Sequence, residues 1–151
     1  MSRSGQRSSG TPAAIDPRGP RFNQSVLALV LFVGFAADLW LVAPVMGACL
    51  ALGAWGQPTW NPTFWLYRNY VAPRLGQPAY REDPRPPRFS ARIGALFLGG
   101  ATLAFSLGAS TAGWVLTLIV ATLATLAATT GICLGCELYL LLPGNRLHRS
   151  Q

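Results

Sequence analysis

Two cysteines separated by two residues, Cys133 and Cys136, are the pair in this chain whose type and spacing could carry a reaction. Thiols at that spacing can form a disulfide, bind a metal, or pass electrons or sulfur between partners. Glu137 follows directly and is the only acid between Ile93 and Asn145, and an ionisable side chain in so apolar a stretch is a functional candidate. The pattern predicts a catalytic thiol pair in which Glu137 moves a proton. The alternative is that both cysteines are small packing residues.

A metal or haem site is not expected around these thiols. A structural zinc site takes four ligands and an iron–sulfur cluster usually four cysteines, whereas the remaining candidates here are Cys49 and the single histidine, His148. Covalent haem attachment needs a histidine directly after the second cysteine, and Glu137 stands there. We therefore predict no metal and no cofactor.

The thiols lie in an unusually apolar chain, with 51% hydrophobic and only 11% charged residues, against about 25% charged in a typical soluble domain. All twelve basic residues are arginines, and none falls within residues 25–56 or 93–142. A helix crosses the hydrocarbon layer with about 20 residues, so the second window holds two crossings and the first is too long for one. We predict an all-α polytopic membrane protein with four transmembrane helices, near residues 24–40, 43–60, 91–108 and 112–133.

The arginines give the predicted orientation. In the four-helix arrangement all twelve fall on one side, which the positive-inside rule assigns to the cytoplasm. We therefore expect a multi-pass protein in the lipid bilayer of the cell membrane, with its N and C termini in the cytoplasm. Three crossings is the alternative, and it would place the central arginines opposite the N-terminal ones. The net charge of +7 then reflects topology and lipid contact, so no nucleic-acid partner is expected.

A short arginine- and proline-rich segment occurs twice. Motif one, DPRGPRF at Asp16–Phe22, recurs as motif two, DPRPPRF at Asp83–Phe89, with six identities in seven positions and a spacing of 67 residues. Each copy precedes an apolar stretch long enough for two helices, so we predict two parallel two-helix repeats. Proline suits the turn before a helix, and the arginines there could be topology anchors only or could bind an anionic group. The predicted anion- or headgroup-binding residues are Arg18, Arg21, Arg85 and Arg88.

The predicted organisation is a single membrane domain, residues 15–143, between two polar tails. Residues 1–14 read as a disordered N-terminal tail, and residues 144–151 as a basic C-terminal tail. Within the domain we predict repeat one at 16–56, an interfacial linker at 57–82 and repeat two at 83–142. In the linker, Thr63–Leu75 mixes apolar and basic residues and is expected to form a short helix in the plane of the membrane interface.

The last apolar segment also carries a row of threonines. At about 100° per residue, Thr122, Thr125 and Thr129 share a helix face with Cys133 and Cys136. We therefore predict one helix whose mildly polar stripe ends in the thiols. The alternative is that each threonine hydroxyl bonds back to its own helix backbone, as is common in transmembrane helices.

The order DPRGPRF, NPTFWLYR, EDPRPPRF and GICLGCELYLL, over roughly residues 15–143, resembles a family of small bacterial membrane proteins of unknown function. The most specific parts of the resemblance are the two motifs and the segment Cys133–Tyr139. The resemblance implies that the thiols act in redox or sulfur transfer, with a soluble thioredoxin-like or rhodanese-like partner. The family supplies no established activity.

Three functions remain open at this point. The preferred one is a membrane-embedded thiol redox or sulfur-relay protein, in which one cytoplasm-facing cysteine attacks and the other resolves the product. The second is a transporter or channel for a small sulfur species, which would need a homo-oligomer because four helices are few for a pore. The third is a structural subunit or scaffold whose motifs dock a partner and whose cysteines are incidental. Whether the protein is an enzyme is left open with them.

Overall fold

The computed structural model describes residues 15–56, 60–78, 81 and 84–141, without the side chain of Leu140, and over those ranges the chain is helical with no strand. The predicted all-α class is therefore confirmed. A π-helical segment, Tyr67–Val71, joins two short helices of the linker. The helices, in chain order, are α1 (Arg18–Ala36), α2 (Val42–Trp55), α3 (Pro62–Leu66), α4 (Ala72–Leu75), α5 (Arg85–Ser106), α6 (Ser110–Thr130) and α7 (Leu134–Leu141).

The four long helices form a bundle in which each helix of the first half has its main partner in the second half. Helix α1 packs on α6 and α2 packs on α5, whereas α1 and α2 contact each other only lightly. Leu31 of α1, Leu98 of α5 and Thr117 of α6 are fully buried. A Cβ at Gly47 of α2 would lie 3.2 Å from the Cβ of Leu98 on α5. The small residue at this position therefore allows α2 and α5 to approach closely.

Both hairpin turns lie at one end of the bundle. Trp114 at the start of α6 donates a hydrogen bond from Nε1 to Asp38 Oδ1 at 3.1 Å, across the turn that joins α1 to α2. The Trp114 ring also packs edge-on against Phe35 and Phe105, with centroids 5.2 and 5.0 Å apart. At the opposite end the guanidinium of Arg92 lies 5.9 Å from the centre of the Trp55 ring. We call these the turn end and the arginine end.

Helices α5 and α6 are the two that are long and apolar enough to cross a membrane, within the described part of the chain, and α2 is a shorter apolar helix. Only 11% of the apolar window of α5 and 33% of that of α6 is buried within the chain. A core helix of a soluble protein is mostly buried, so the exposed apolar faces of α5 and α6 are consistent with helices that cross a membrane.

The structure corrects several predicted boundaries. Helices α1 and α2 end at Ala36 and Trp55, before the predicted limits of 40 and 60. The expectation of one continuous helix through the thiols is wrong, because α6 ends at Thr130 and Gly131 takes the left-handed conformation (φ 73°) that terminates helices. The predicted linker helix is present, as α3, the π-helical segment and α4. Asp83 and the two predicted tails (residues 1–14 and 144–151) lie outside the described residues.

Candidate thiol site

Cys133 lies directly before the first residue of α7, in the three-residue link that follows α6. The Gly131 N–H bonds to the Ala127 carbonyl and ends α6, and the Thr130 hydroxyl accepts a hydrogen bond from the Ile132 N–H at 3.2 Å. The Glu137 N–H then bonds to the Cys133 carbonyl at 2.9 Å as α7 begins. The break that the sequence analysis missed therefore places Cys133 at a helix N-terminus, where unpaired N–H groups and the helix dipole favour an anion.

Hydrogen bonds make Cys133 acidic. A hydrogen bond from the Cys136 side chain lowers the pKa of Cys133 most; those from Ser90 and from the backbone N–H groups of Cys136 and Gly135 lower it further. Burial acts in the opposite direction, and the balance brings the pKa from 9.0 to about 6. At neutral pH this side chain is therefore mostly thiolate, which is the nucleophilic form of cysteine. None of the three cysteines, all of which are described, forms a disulfide in the structure.

The second motif holds this helix in place. Cys133 Sγ and Ser90 Oγ lie 3.1 Å apart, so the Ser90 hydroxyl can donate to the thiolate, and Ser90 directly follows motif two. The rings of Phe89 and Tyr139 pack at 5.4 Å. Gly135 lies so close to α5 that a Cβ there would meet the Ser90 Cα at 3.0 Å. The thiol pair is thus fixed against the start of α5 by one aromatic contact, one hydrogen bond and one close backbone approach.

The thiols open onto a cleft of about 370 Å³. We call it the thiol cleft. Nothing in the sequence alone indicates that the two motifs meet. In the structure, residues of both motifs line the thiol cleft. Its lining combines Cys133, Cys136 and Glu137 with Pro17, Pro20, Arg21 and Gln24 from the first half, Pro86 and Pro87 from motif two, and Ala127, Gly131 and Ile132 from the end of α6.

Arg21 is the one arginine that lines the thiol cleft. Its guanidinium lies against Gly131, where a Cβ would collide with it. Gly131 is favoured here for its positive φ, whereas the Arg21 side chain could move away from an added Cβ. Arg21 adds positive charge to the thiol cleft.

The other predicted anion-site arginines lie elsewhere. Arg18 donates from Nη1 to the carbonyl of Leu75 at 3.3 Å and so holds the end of α4. Arg85 is exposed at the first position of α5 and has an interaction partner. Arg88 is half-buried away from the thiols and its Nε has no hydrogen-bond partner. The four arginines therefore do not form one site.

Motif one lines the thiol cleft and also contacts the linker. Its Asp16 accepts a hydrogen bond from the Tyr67 hydroxyl at 2.8 Å, and the Phe22 and Tyr67 rings pack at 5.6 Å. Burial first, and then the hydrogen bond and charge of Asp16, raise the pKa of Tyr67 to about 12, with Arg18 opposing the shift. This contact fixes the linker against the start of α1.

The predicted threonine stripe has satisfied hydroxyls. Thr122, Thr125 and Thr129 each donate to the carbonyl four residues earlier on α6, at 2.8 Å. Thr122 and Thr129 are exposed on the outside of the bundle. Because α6 ends before Cys133, these hydroxyls are not continuous with the thiols on one helix.

Two features of the site were missed from the sequence. One is Ser90, which could have been recognised as a candidate from its position directly after motif two. The other is the contact between Arg21 and Gly131, which joins residues 110 positions apart and has no local signal. The described residues contain no group of three or more histidine, cysteine or acidic side chains placed to hold a metal ion.

Comparison with known proteins shows a family match over most of the chain. The family described as a domain of unknown function (DUF4395) matches residues 15–143. The chain belongs to that family. The DUF4395 match includes both motifs, the four long helices and the thiol pair, and its description assigns no activity to them. No curated protein and no solved structure matches the chain.

Proposed function

We propose that this DUF4395 protein is a membrane-embedded thiol redox or sulfur-relay protein that uses Cys133 as its nucleophile. The observation that carries the proposal is an acidic Cys133 at the start of α7, hydrogen-bonded by Cys136 and open to a cleft. A cysteine that only packs has no need of a lowered pKa, since burial alone raises it.

Thiol–disulfide exchange follows from this arrangement. The Cys133 thiolate attacks one sulfur of a partner disulfide, forms a mixed disulfide, and releases the other sulfur as a thiolate. Cys136 then loses its proton and attacks the Cys133 sulfur, which releases the reduced partner and leaves a Cys133–Cys136 disulfide. The chain is oxidised by two electrons and the partner is reduced by two. Glu137, exposed on the cleft, is the group we assign to take up the Cys136 proton.

Sulfur transfer uses the same nucleophile with a different electrophile. The Cys133 thiolate attacks the outer sulfur of a partner persulfide, R–S–SH. The bond between the two partner sulfurs breaks, R–S⁻ leaves as the thiolate, and Cys133–S–SH forms. No external oxidant is needed, because the sulfane sulfur keeps its oxidation state. A soluble thioredoxin-like or rhodanese-like protein is the proposed partner class for either step.

The proposed setting is a bilayer crossed by all four long helices, with the arginine end in the cytoplasm. Helices α1 and α2 run alongside α6 and α5 from end to end. Arg21 on α1 reaches Gly131 at the close of α6, while the α1–α2 turn reaches Trp114 at its start. Trp55 closing α2 contacts Arg92, and Trp40 beside its start packs on Phe105. If α5 and α6 cross, α1 and α2 therefore cross with them, and the thiols lie at the cytoplasmic interface.

Reversible oxidation in intact membranes tests the proposal. In a Cys49→Ser background, which leaves the pair as the only thiols, an alkylating mass tag counts free thiols before oxidant, after mild oxidant and after reductant. The proposal predicts two, none and two, since the pair forms a disulfide and reopens. Two tagged thiols at every step would show that the pair is inert and the proposal wrong.

A further inference from the structure

A second pocket lies at the arginine end and shares Pro20, Gln24 and Pro87 with the lining of the thiol cleft. We call it the amide pocket; its polar lining is Asn23, Gln24, Asn61 and Arg88, set among apolar groups such as Leu50 and Phe64. It has a volume of about 80 Å³. One buried water needs about 10–15 Å³ by this kind of measure, so the pocket has room for a compact group of about five heavy atoms.

The two asparagines of the amide pocket belong to one hydrogen-bond network with Thr63. Asn23 Oδ1 accepts from Asn61 Nδ2 at 3.4 Å and also from the Thr63 hydroxyl. Asn61 Oδ1 accepts from the Thr63 N–H at 3.0 Å. Both asparagine oxygens are therefore already engaged. Among the described residues that line the pocket there is no carboxylate.

Arg88 supplies the unsatisfied group. Its Nε is buried and has no hydrogen-bond partner, and a buried charged donor without an acceptor is strongly unfavourable. Arg21, the residue at the same position in motif one, is instead exposed on the thiol cleft. The two equivalent arginines thus differ: Arg88 is half-buried with an enclosed Nε, and Arg21 is exposed.

We infer that the amide pocket binds a phosphate-type oxyanion, through the guanidinium of Arg88 and the amide groups beside it. Guanidinium groups match the oxygens of phosphate in paired hydrogen bonds, and the five heavy atoms of a phosphate fit the space. The pocket lies at the end of the bundle that carries the arginines of both motifs. The oxyanion is either the headgroup phosphate of a membrane lipid, whose glycerol and chains would follow Leu50 and Phe64, or free phosphate.

Binding to the full chain in zwitterionic detergent micelles tests the inference. One arm titrates inorganic phosphate and the other a short-chain phosphatidylglycerol, with heat of binding as the readout. The wild type should bind in at least one arm. Arg88→Gln should weaken that binding about tenfold or more, as expected for the loss of a charge-assisted hydrogen bond. Arg21→Gln is the matched control and should bind like the wild type.

Two further variants guard against misfolding of Arg88→Gln. Arg88→Lys keeps the charge and removes the Nε donor, so its binding should fall between those of the wild type and Arg88→Gln. Asn23→Asp keeps the oxygens that accept from Asn61 and Thr63 and adds a negative charge, so it should also weaken binding. If inorganic phosphate binds and the lipid does not, the inference holds and the ligand is free phosphate. If only the lipid binds, the inference holds and the ligand is a lipid headgroup. No binding in either arm, or equal losses in Arg21→Gln and Arg88→Gln, would overturn it.

Discussion

The two motifs begin two halves of the chain with matching contacts and different chemistry. In the first half Phe22 packs on Tyr67, and in the second Phe89 packs on Tyr139. The residue after each motif, Asn23 or Ser90, bonds to a side chain six positions before that tyrosine. That side chain is Asn61 in the first half and Cys133 in the second.

The two halves differ at the start of the short helix. Asn61 is 6% exposed, caps α3 by accepting from the Thr63 N–H, and donates to Asn23. Cys133 stands directly before α7 and faces an open cleft with an acidic thiol. The same framework therefore carries a helix cap in one half and the proposed nucleophile in the other. On this comparison, Asn61 contributes to the stability of the bundle, and Cys133 is the residue proposed to react.

The largest expected effect on stability is at Gly135, because a Cβ there would meet the backbone of Ser90. Gly135→Ala should lower the free energy of unfolding by about 1–3 kcal/mol, the usual range for overpacking. Gly99→Ala on α5 is the control, since nothing lies within 4 Å of its Cβ position, and it should be neutral or stabilising. Thermal unfolding in detergent micelles measures both variants. Equal changes in stability for the two would contradict the close contact between α5 and α7.

The second test compares the two equivalent side chains. Asn61→Ala removes a cap and leaves its partners unpaired, which should cost about 1–2 kcal/mol. Cys133→Ala should cost less than Asn61→Ala, because its hydrogen bonds serve reactivity more than stability. Thermal unfolding of the two variants checks the order. A larger loss in Cys133→Ala would make the thiol a structural residue and reverse the comparison.

A smaller effect is expected at Tyr67, whose hydroxyl bonds to Asp16. Tyr67→Phe should lose about 0.5–1.5 kcal/mol. Because folding raises the pKa of Tyr67 from 10.0 to about 12, the stabilisation is complete below pH 10 and is lost as the pH rises through 12. Unfolding measured between pH 9 and 12 should therefore show a decline in the wild type that is weaker in Tyr67→Phe. Parallel curves would contradict the assigned pKa.

The smallest expected effect is on the rate at which Cys133 reacts. In the Cys49→Ser background the alkylation rate of Cys133, followed by mass spectrometry, should rise with pH through a midpoint near 6. Ser90→Ala removes one of the hydrogen bonds that lower this pKa, so the midpoint should move upward and the rate near pH 6 should fall. Ser25→Ala on α1, where the hydroxyl bonds to its own helix at Arg21, is the control and should leave the midpoint unchanged.

The helical class and the proline-rich turns before α1 and α5 could be predicted from the sequence, since helix length, apolar windows and proline positions depend on local residues. It could not place Gly131 as the end of α6, because the surrounding residues Thr130 and Ile132 are compatible with a continuing transmembrane helix. It also could not bring Arg21 to the thiols, since that contact depends on α1 packing against α6. The thiol pair itself was predicted from spacing alone, while its position before α7 and its acidity required the fold.

The two-repeat organisation and the four crossings remain predictions, although the contacts of the two motifs are parallel. Helix α2 has only 14 residues, about 21 Å of helix, which is shorter than the hydrocarbon layer of about 30 Å. Its packing along α5, and not its own length, supports a crossing. A cysteine introduced at Ser110, at the turn end, should be labelled by an impermeant reagent from outside the cell.

The central claim is that Cys133 attacks and Cys136 resolves, and trapping in intact membranes tests it most directly. Cys136→Ser should accumulate an adduct on Cys133, because the attacking thiol is present and the resolving thiol is absent. Mass spectrometry would identify the adduct as a mixed disulfide or a persulfide, and so distinguish redox exchange from sulfur relay. Cys133→Ser should accumulate none. Adducts on Cys136 in the Cys133→Ser variant, with none in Cys136→Ser, would contradict the assignment.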